Sequence, residues 1–124
     1  MDRLKKHRLT YLATPFTLFK GGLNEAFQSA SALAACLMRA GIPVFCPIAH
    51  SYPIAKYGGI DPTWHEFWLS GDKPLMEAAD ALVVGMMDGW DQSRGVSEEI
   101  NVFRTADKPI YFLNPETLEV SDAA

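Results

Sequence analysis

Cysteine is scarce in this chain: two thiols, Cys36 and Cys46, stand among 124 residues. Neither has a second cysteine or a histidine at the spacing of a redox or zinc motif, which argues against a disulfide scaffold and a metal ribbon. Both fall in apolar surroundings and read as buried thiols. Long apolar runs are missing too; none approaches the ~20 residues that a membrane-crossing helix requires. No apolar stretch follows the basic residues at the N-terminus, so a signal peptide is not expected and the cytoplasm is the expected location. Positive charge is sparse and one-sided. The net charge is −4, and a basic cluster, Arg3, Lys5, Lys6 and Arg8, sits at one end. No basic stripe interleaved with aromatics follows, which argues against polymeric nucleic acid as a partner. The cluster itself reads as a solvated, frayed terminus.

What remains is an ordinary globular balance, 48% hydrophobic and 21% charged, of a length that suits one domain. One domain is therefore expected over 1–124, with its core at about 9–115. Leu9–Ala13 is a short apolar run and reads as a buried strand, followed by a loop over Thr14–Gly22. In Leu23–Ala40, Ala26, Ala30, Leu33, Ala34, Leu37 and Met38 recur at helical spacing, and Gly41 stands where a left-handed cap favours glycine. Pro43–Cys46 reads as a second strand, stopped by Pro47. Ile48–Ser70 is ambiguous, with a helix opening near Pro62 and a further helical piece over Pro74–Ala79. Ala81–Gly85 reads as a strand, Gly95–Thr105 as a helix, and Pro109–Leu113 as the last strand. The tail beyond Pro115 reads as a surface segment.

Strands that are apolar on both faces and alternate with helices imply a parallel sheet covered on both sides. The expected fold is α/β: a doubly wound, Rossmann- or flavodoxin-like three-layer sandwich of four to five strands. Ligands of such sheets bind beyond the carboxyl ends of the strands. That places attention on the loops after Ala13, Cys46 and Gly85, and there the unusual side chains gather. The loop Asp88-Gly89-Trp90-Asp91-Gln92-Ser93-Arg94-Gly95 runs from a buried strand into a helix. Ser93 suits the cap of that helix, and Ser93 and Gly95 stand where exposed amides would attract an anion. Glu98 and Glu99 follow. Adjacent helical residues point about 100° apart, so only one of the two can face a site. The apolar stripe Val96, Ile100, Phe103 favours Glu99, whereas Glu98 falls toward the polar side with Asn101 and Thr105.

In chain order the motifs are Y-L-A-x-P from Tyr11, V-x-x-P from Val44, and D-x-x-x-x-x-x-A-D-x-L-V-V from Asp72. The last is G-W-x-x-S-x-G-x-x-x-E, here Gly89, Trp90, Ser93, Gly95 and Glu99. This ordered set, spanning about Tyr11 to Leu113, resembles the nucleoside 2-deoxyribosyltransferase superfamily, and within it the DUF1937 and DUF4406 branch. The resemblance implies Glu99 as a nucleophile toward the anomeric carbon, Asp72 as the group that assists departure of the base, and Tyr11 as a neighbour of both nucleophile and sugar. It also places Ser93 at the sugar's 5′ end, where the transferases carry aspartate and the nucleoside 5′-phosphate N-hydrolases carry serine. A serine beside helix amides suits a phosphate, which an aspartate would repel.

Thr14, His50, Asp88, Gly89, Trp90, Ser93 and Gly95 are the expected substrate contacts. For His50 a structural role weighs as much as a functional one. No metal or other cofactor is implied. The segment His50–Trp68 departs from the transferase pattern: Trp64 and Trp68 read as a core or subunit-interface stripe, His65 as structural. The expected partner is a small nucleoside or nucleotide, with no membrane, in a homo-oligomer (dimer or tetramer). Three functions remain open: N-glycosidic cleavage or transfer, nucleotide sensing without turnover, and a structural oligomer-forming role.

Overall fold

A computed structural model describes residues 1–122 of the chain. The regular elements are β1 (Thr10–Ala13), α1 (Leu23–Arg39), β2 (Val44–Phe45), α2 (Pro47–Gly58), α3 (His65–Ala78), β3 (Ala81–Gly85), α4 (Arg94–Thr105), β4 (Ile110–Leu113) and β5 (Val120–Ser121). The five strands form one sheet in the order β2-β1-β3-β4-β5; only β5 is antiparallel. Alternate residues of each strand enter different cores. Leu12 and Val83 pack under α1 and the start of α2, whereas Tyr11, Ala13, Leu82 and Val84 pack with Met76 of α3 and Val96 and Phe103 of α4. The fold is thus a mixed α/β, three-layer Rossmann/flavodoxin-like sandwich. Strands buried on both faces read as unbroken apolar runs, which is why they are legible in the sequence.

Several elements depart from expectation. Pro47 does not merely stop β2; it occupies the first turn of α2, where a missing amide leaves no hydrogen bond unmade. Gly59, in the left-handed region at φ 71°, closes that helix. The two helical pieces expected around Pro62 and Pro74 are one helix that begins at His65 and carries Pro74 inside it. The α3 C-terminus is secured from outside: Lys108 Nζ donates to the carbonyls of Met76, Glu77 and Ala79 at 3.1, 2.7 and 2.7 Å. The tail expected on the surface supplies β5, pairing Val120 with Leu113. The basic N-terminus is docked rather than frayed. A 3-10 turn over Asp2–Leu4 buries Leu4 completely, and Arg3 pairs with Asp122. Periodicity says nothing of such a contact, because its partner lies 119 residues away.

The strand order reverses between β1 and β3: β2 lies to one side of the pair, β4 and β5 to the other. At such a switch point the connections leave in opposite directions and open a crevice beyond the strand ends. Gly85 holds the two strand ends close. A Cβ there would lie 2.8 Å from Leu33 Cδ2 and 3.2 Å from Thr14 Cγ2. Among the described residues no helix is long and apolar enough to cross a membrane.

Candidate active site

A cavity of about 250 Å³ opens at this switch point, walled by the loop after β1, the first turns of α2 and α4, and one face of α3. Thr14, Asp72, Ser93, Gly95 and Glu99 all line it. Each is delivered by a different local cause. Thr14 is the first residue beyond β1, 4% exposed, and its Oγ1 has no hydrogen-bond partner. Ser93 caps α4: its Oγ accepts the amide of Val96 at 3.2 Å, while its hydroxyl proton stays available to a ligand. Capping and lining the cavity coincide in this residue. Gly95, in the first turn, leaves open space between Ser93 Oγ and His65 Cε1, which would lie 3.9 and 4.0 Å from an added Cβ.

The two glutamates diverge as helical geometry requires. Glu99 turns inward beside Val96 and Phe103 and is 8% exposed. Burial pushes its carboxyl up to about 8; the hydroxyl of Tyr11 opposes that rise, and the nearby charge of Asp72 adds to it. Tyr11 is wholly buried beneath, and its oxygen makes no hydrogen bond of standard geometry. Burial first, then the charges of Glu99 and Asp72, drive the phenol far above its ordinary value, so it stays a donor. Asp72 is half-buried, and burial pushes its carboxyl up to about 6 against the opposing pull of His50. Two carboxyl groups and a phenol therefore influence one another here, and each is shifted toward its protonated form.

Glu98 leaves the helix at the cavity rim. His65 Nε2 lies 2.6 Å from Glu98 Oε2, and Arg94 donates to Glu98 at 3.2 Å and to Glu66 at 3.1 Å. The hydrogen bond from His65, then that from Arg94, hold the Glu98 carboxyl below its usual range despite partial desolvation.

Four expected contacts lie outside this cavity. Asp88 lines a separate hollow on the α1 side of the sheet, with Phe19 and Met87. Gly89 adopts φ 87°, and an added Cβ would meet the Leu18 carbonyl oxygen at 2.9 Å. That left-handed residue and the 3-10 turn over Trp90–Gln92 swing Trp90 into the α4-side core, 5.7 Å from Phe112. His50 is exposed with its ring 5.5 Å from Phe45, and it reaches the site only through its charge on Asp72. Conversely, His65 and Trp68 do line the cavity. With Leu69 and Asp72 they form an i, i+3, i+4, i+7 stripe on α3, a signal hidden because Pro74 obscures the continuity of that helix. Trp64 is 52% exposed and stacks on Phe67 at 4.7 Å, so it is no core residue of this chain. Among the described residues no three His, Cys, Asp or Glu side chains gather as a metal site.

No curated protein matches the chain. The sequence profile of the domain of unknown function DUF1937 matches residues 8–114, spanning every wall of the cavity, and the chain belongs to that family.

Proposed function

We propose that this protein breaks the N-glycosidic bond of a nucleoside or nucleoside 5′-monophosphate through a covalent ester on Glu99, as a member of the nucleoside 2-deoxyribosyltransferase superfamily. The observation that carries this reading is the buried Glu99 carboxyl at an open cavity, with Asp72 and Tyr11 beside it. In the first step a Glu99 oxygen bonds to the anomeric carbon as the C–N bond breaks, and the bonding pair leaves with the base, which takes a proton from Asp72. In the second step water, giving its proton to the Asp72 carboxylate, or another base attacks the same carbon, and the bond to Glu99 breaks to free its carboxylate. We propose that the protonated Tyr11 hydroxyl turns to donate to Glu99 once that carboxyl ionises.

In the free protein the proton order is the inverse of what the first step needs: Glu99 titrates at about 8 and Asp72 at about 6. A bound substrate reverses both tendencies. The base covers the half-exposed Asp72 and raises its affinity for a proton, while positive charge developing on the sugar favours ionised Glu99. From Ser93 to Glu99 the helix rises about 9 Å, room for a sugar between a phosphate at the first turn and a reacting carbon at Glu99. The Ser93 hydroxyl and the first amides of α4 suit that phosphate.

We infer the setting to be cytoplasmic and the protein to be a homo-oligomer (dimer or tetramer) without a cofactor, its exposed Trp64–Phe67 pair offering an apolar contact. Burial that shifts Glu99 toward its protonated form also suits a second reading, a sensor that binds nucleotides without turnover. A purely structural role is disfavoured by a cavity lined with unpaired polar groups. Incubation with a panel of nucleosides and their 5′-monophosphates separates the two. Free base released by the wild type and not by Glu99→Gln, which still binds, supports the enzyme. Binding without release supports the sensor, and equal release by both proteins removes Glu99 as nucleophile.

A further inference from the structure

The rim of the cavity holds a charged cluster that the proposed reaction does not use. Glu98 accepts from His65 Nε2 at 2.6 Å and from Arg94 Nε at 3.2 Å, and Arg94 also donates to Glu66 at 3.1 Å. An ionised carboxylate only accepts, so Nε2 carries a proton, and Nδ1 of His65, which makes no hydrogen bond among the described residues, is the nitrogen left to meet a ligand. His65 lines the cavity beside the α4 cap, its Cε1 4.0 Å from the Cβ position of Gly95. Thr14 Oγ1, buried and without a partner, belongs to the same cavity.

We propose that His65, oriented by Glu98, is the residue that reads the phosphate of the substrate, donating from Nδ1 in its cationic form to an oxygen held at the Ser93–Gly95 turn. Charge balance at the rim explains why the cation is needed. With neutral His65, the set Glu66, Arg94, Glu98 and His65 sums to −1, and the mouth repels a phosphate. With His65 protonated the sum is zero, and the α4 dipole and its amides then decide in favour of the anion. A neutral nucleoside gains nothing from this change. The other groups facing the ring are Glu98 and Arg94 from α4 and Glu66 from α3, with Asp72 and Glu99 deeper in the cavity. The paired glutamates thereby acquire separate duties: Glu99 faces the reacting carbon, and Glu98 acts as a positioning residue through His65.

This inference rests on the phosphate half of the proposed function. Its test uses Glu99→Gln protein, to prevent turnover, and titrates inorganic phosphate, the common 2′-deoxynucleoside 5′-monophosphates and the matching nucleosides by calorimetry at pH 6 and pH 8. The expected result is that at least one monophosphate binds tenfold or more tightly than its nucleoside, with more proton uptake at pH 8 than that nucleoside shows. Adding His65→Gln reduces that preference about tenfold and abolishes most of the excess uptake, Glu98→Gln weakens both in the same direction, and His65→Arg restores the preference without the excess uptake. Far-ultraviolet circular dichroism confirms that each variant is folded. An unchanged preference in His65→Gln overturns the assignment, as does the absence of any preference in the parent. Base release by wild-type protein is scored separately. Release that persists while His65→Gln leaves the preference intact sinks only the His65 assignment, whereas phosphate binding that depends on His65 without base release sinks only the enzyme.

Discussion

Replacing Glu99 by glutamine should make the protein more stable, and increasingly so as pH rises. The substitution keeps the shape of the side chain and removes its charge. In the fold the carboxyl titrates at about 8 against an ordinary 4.5, with burial the main cause. Between those two values the folded chain retains a proton that the unfolded chain has released. Stability therefore falls as pH rises through this window and levels off above it; below 4.5 the full stability is present. Holding a proton across one pH unit of that window is worth about 1.4 kcal/mol, so between pH 5 and pH 8 the wild type should lose about 3 kcal/mol that the glutamine variant does not. For a domain of this size that difference corresponds to roughly 10 °C in Tm. Urea unfolding of both proteins at pH 5, 6.5 and 8, with m-values compared to confirm equal exposure on unfolding, measures it directly. Asp72 contributes its own smaller window in both proteins and drops out of the comparison. A variant-minus-wild-type difference that stays constant from pH 5 to pH 8 would refute the claim that Glu99 is held protonated by burial.

The Glu99→Gln variant should also release no base in the nucleotide panel, and His65→Gln should lose discrimination for phosphate in calorimetry. Lys108→Met should destabilise the protein by about 2 kcal/mol in chemical denaturation, since it strips three charge-assisted bonds from the α3 C-terminus while keeping the apolar stem. A loss below the error of the measurement would mean that water replaces the ammonium without penalty. Gly95→Ala should raise stability by roughly 0.5–1 kcal/mol through helix propensity. Its methyl enters the space between Ser93 and His65, so monophosphate affinity should fall in the same variant. Affinity that rises or stays level would move the phosphate away from that turn.

The sandwich is legible in the sequence because strands buried on both faces write themselves as apolar runs, and α1 writes itself as an apolar stripe. Ala81–Gly85 and Leu23–Arg39 need no neighbour to be recognised. Glu99 is legible for a similar reason: the phase of Val96, Ile100 and Phe103 sets which way a helix must face, and the neighbouring glutamate is left at the rim. The α2 and α3 boundaries are obscure because proline carries two meanings, breaker and first-turn residue, and tertiary packing tolerates Pro53 and Pro74 inside helices. His65 reads as structural in the sequence for want of a visible partner. The carboxylate that orients it lies 33 residues away.

The segment from Asp88 to Glu99 shows where each level of description ends. Residue order determined a loop, a capped helix and one inward glutamate, because hydrophobic phase and capping act over a few neighbouring residues. Only the tertiary structure decided that this segment serves two places. Left-handed Gly89 turns Trp90 toward Phe112 and away from the cavity, while Ser93, Gly95 and Glu99 meet Thr14 and Asp72 from other elements. The rise of the Glu99 carboxyl to about 8 belongs to that level as well, since desolvation is a property of everything packed around a group and of none of its sequence neighbours alone.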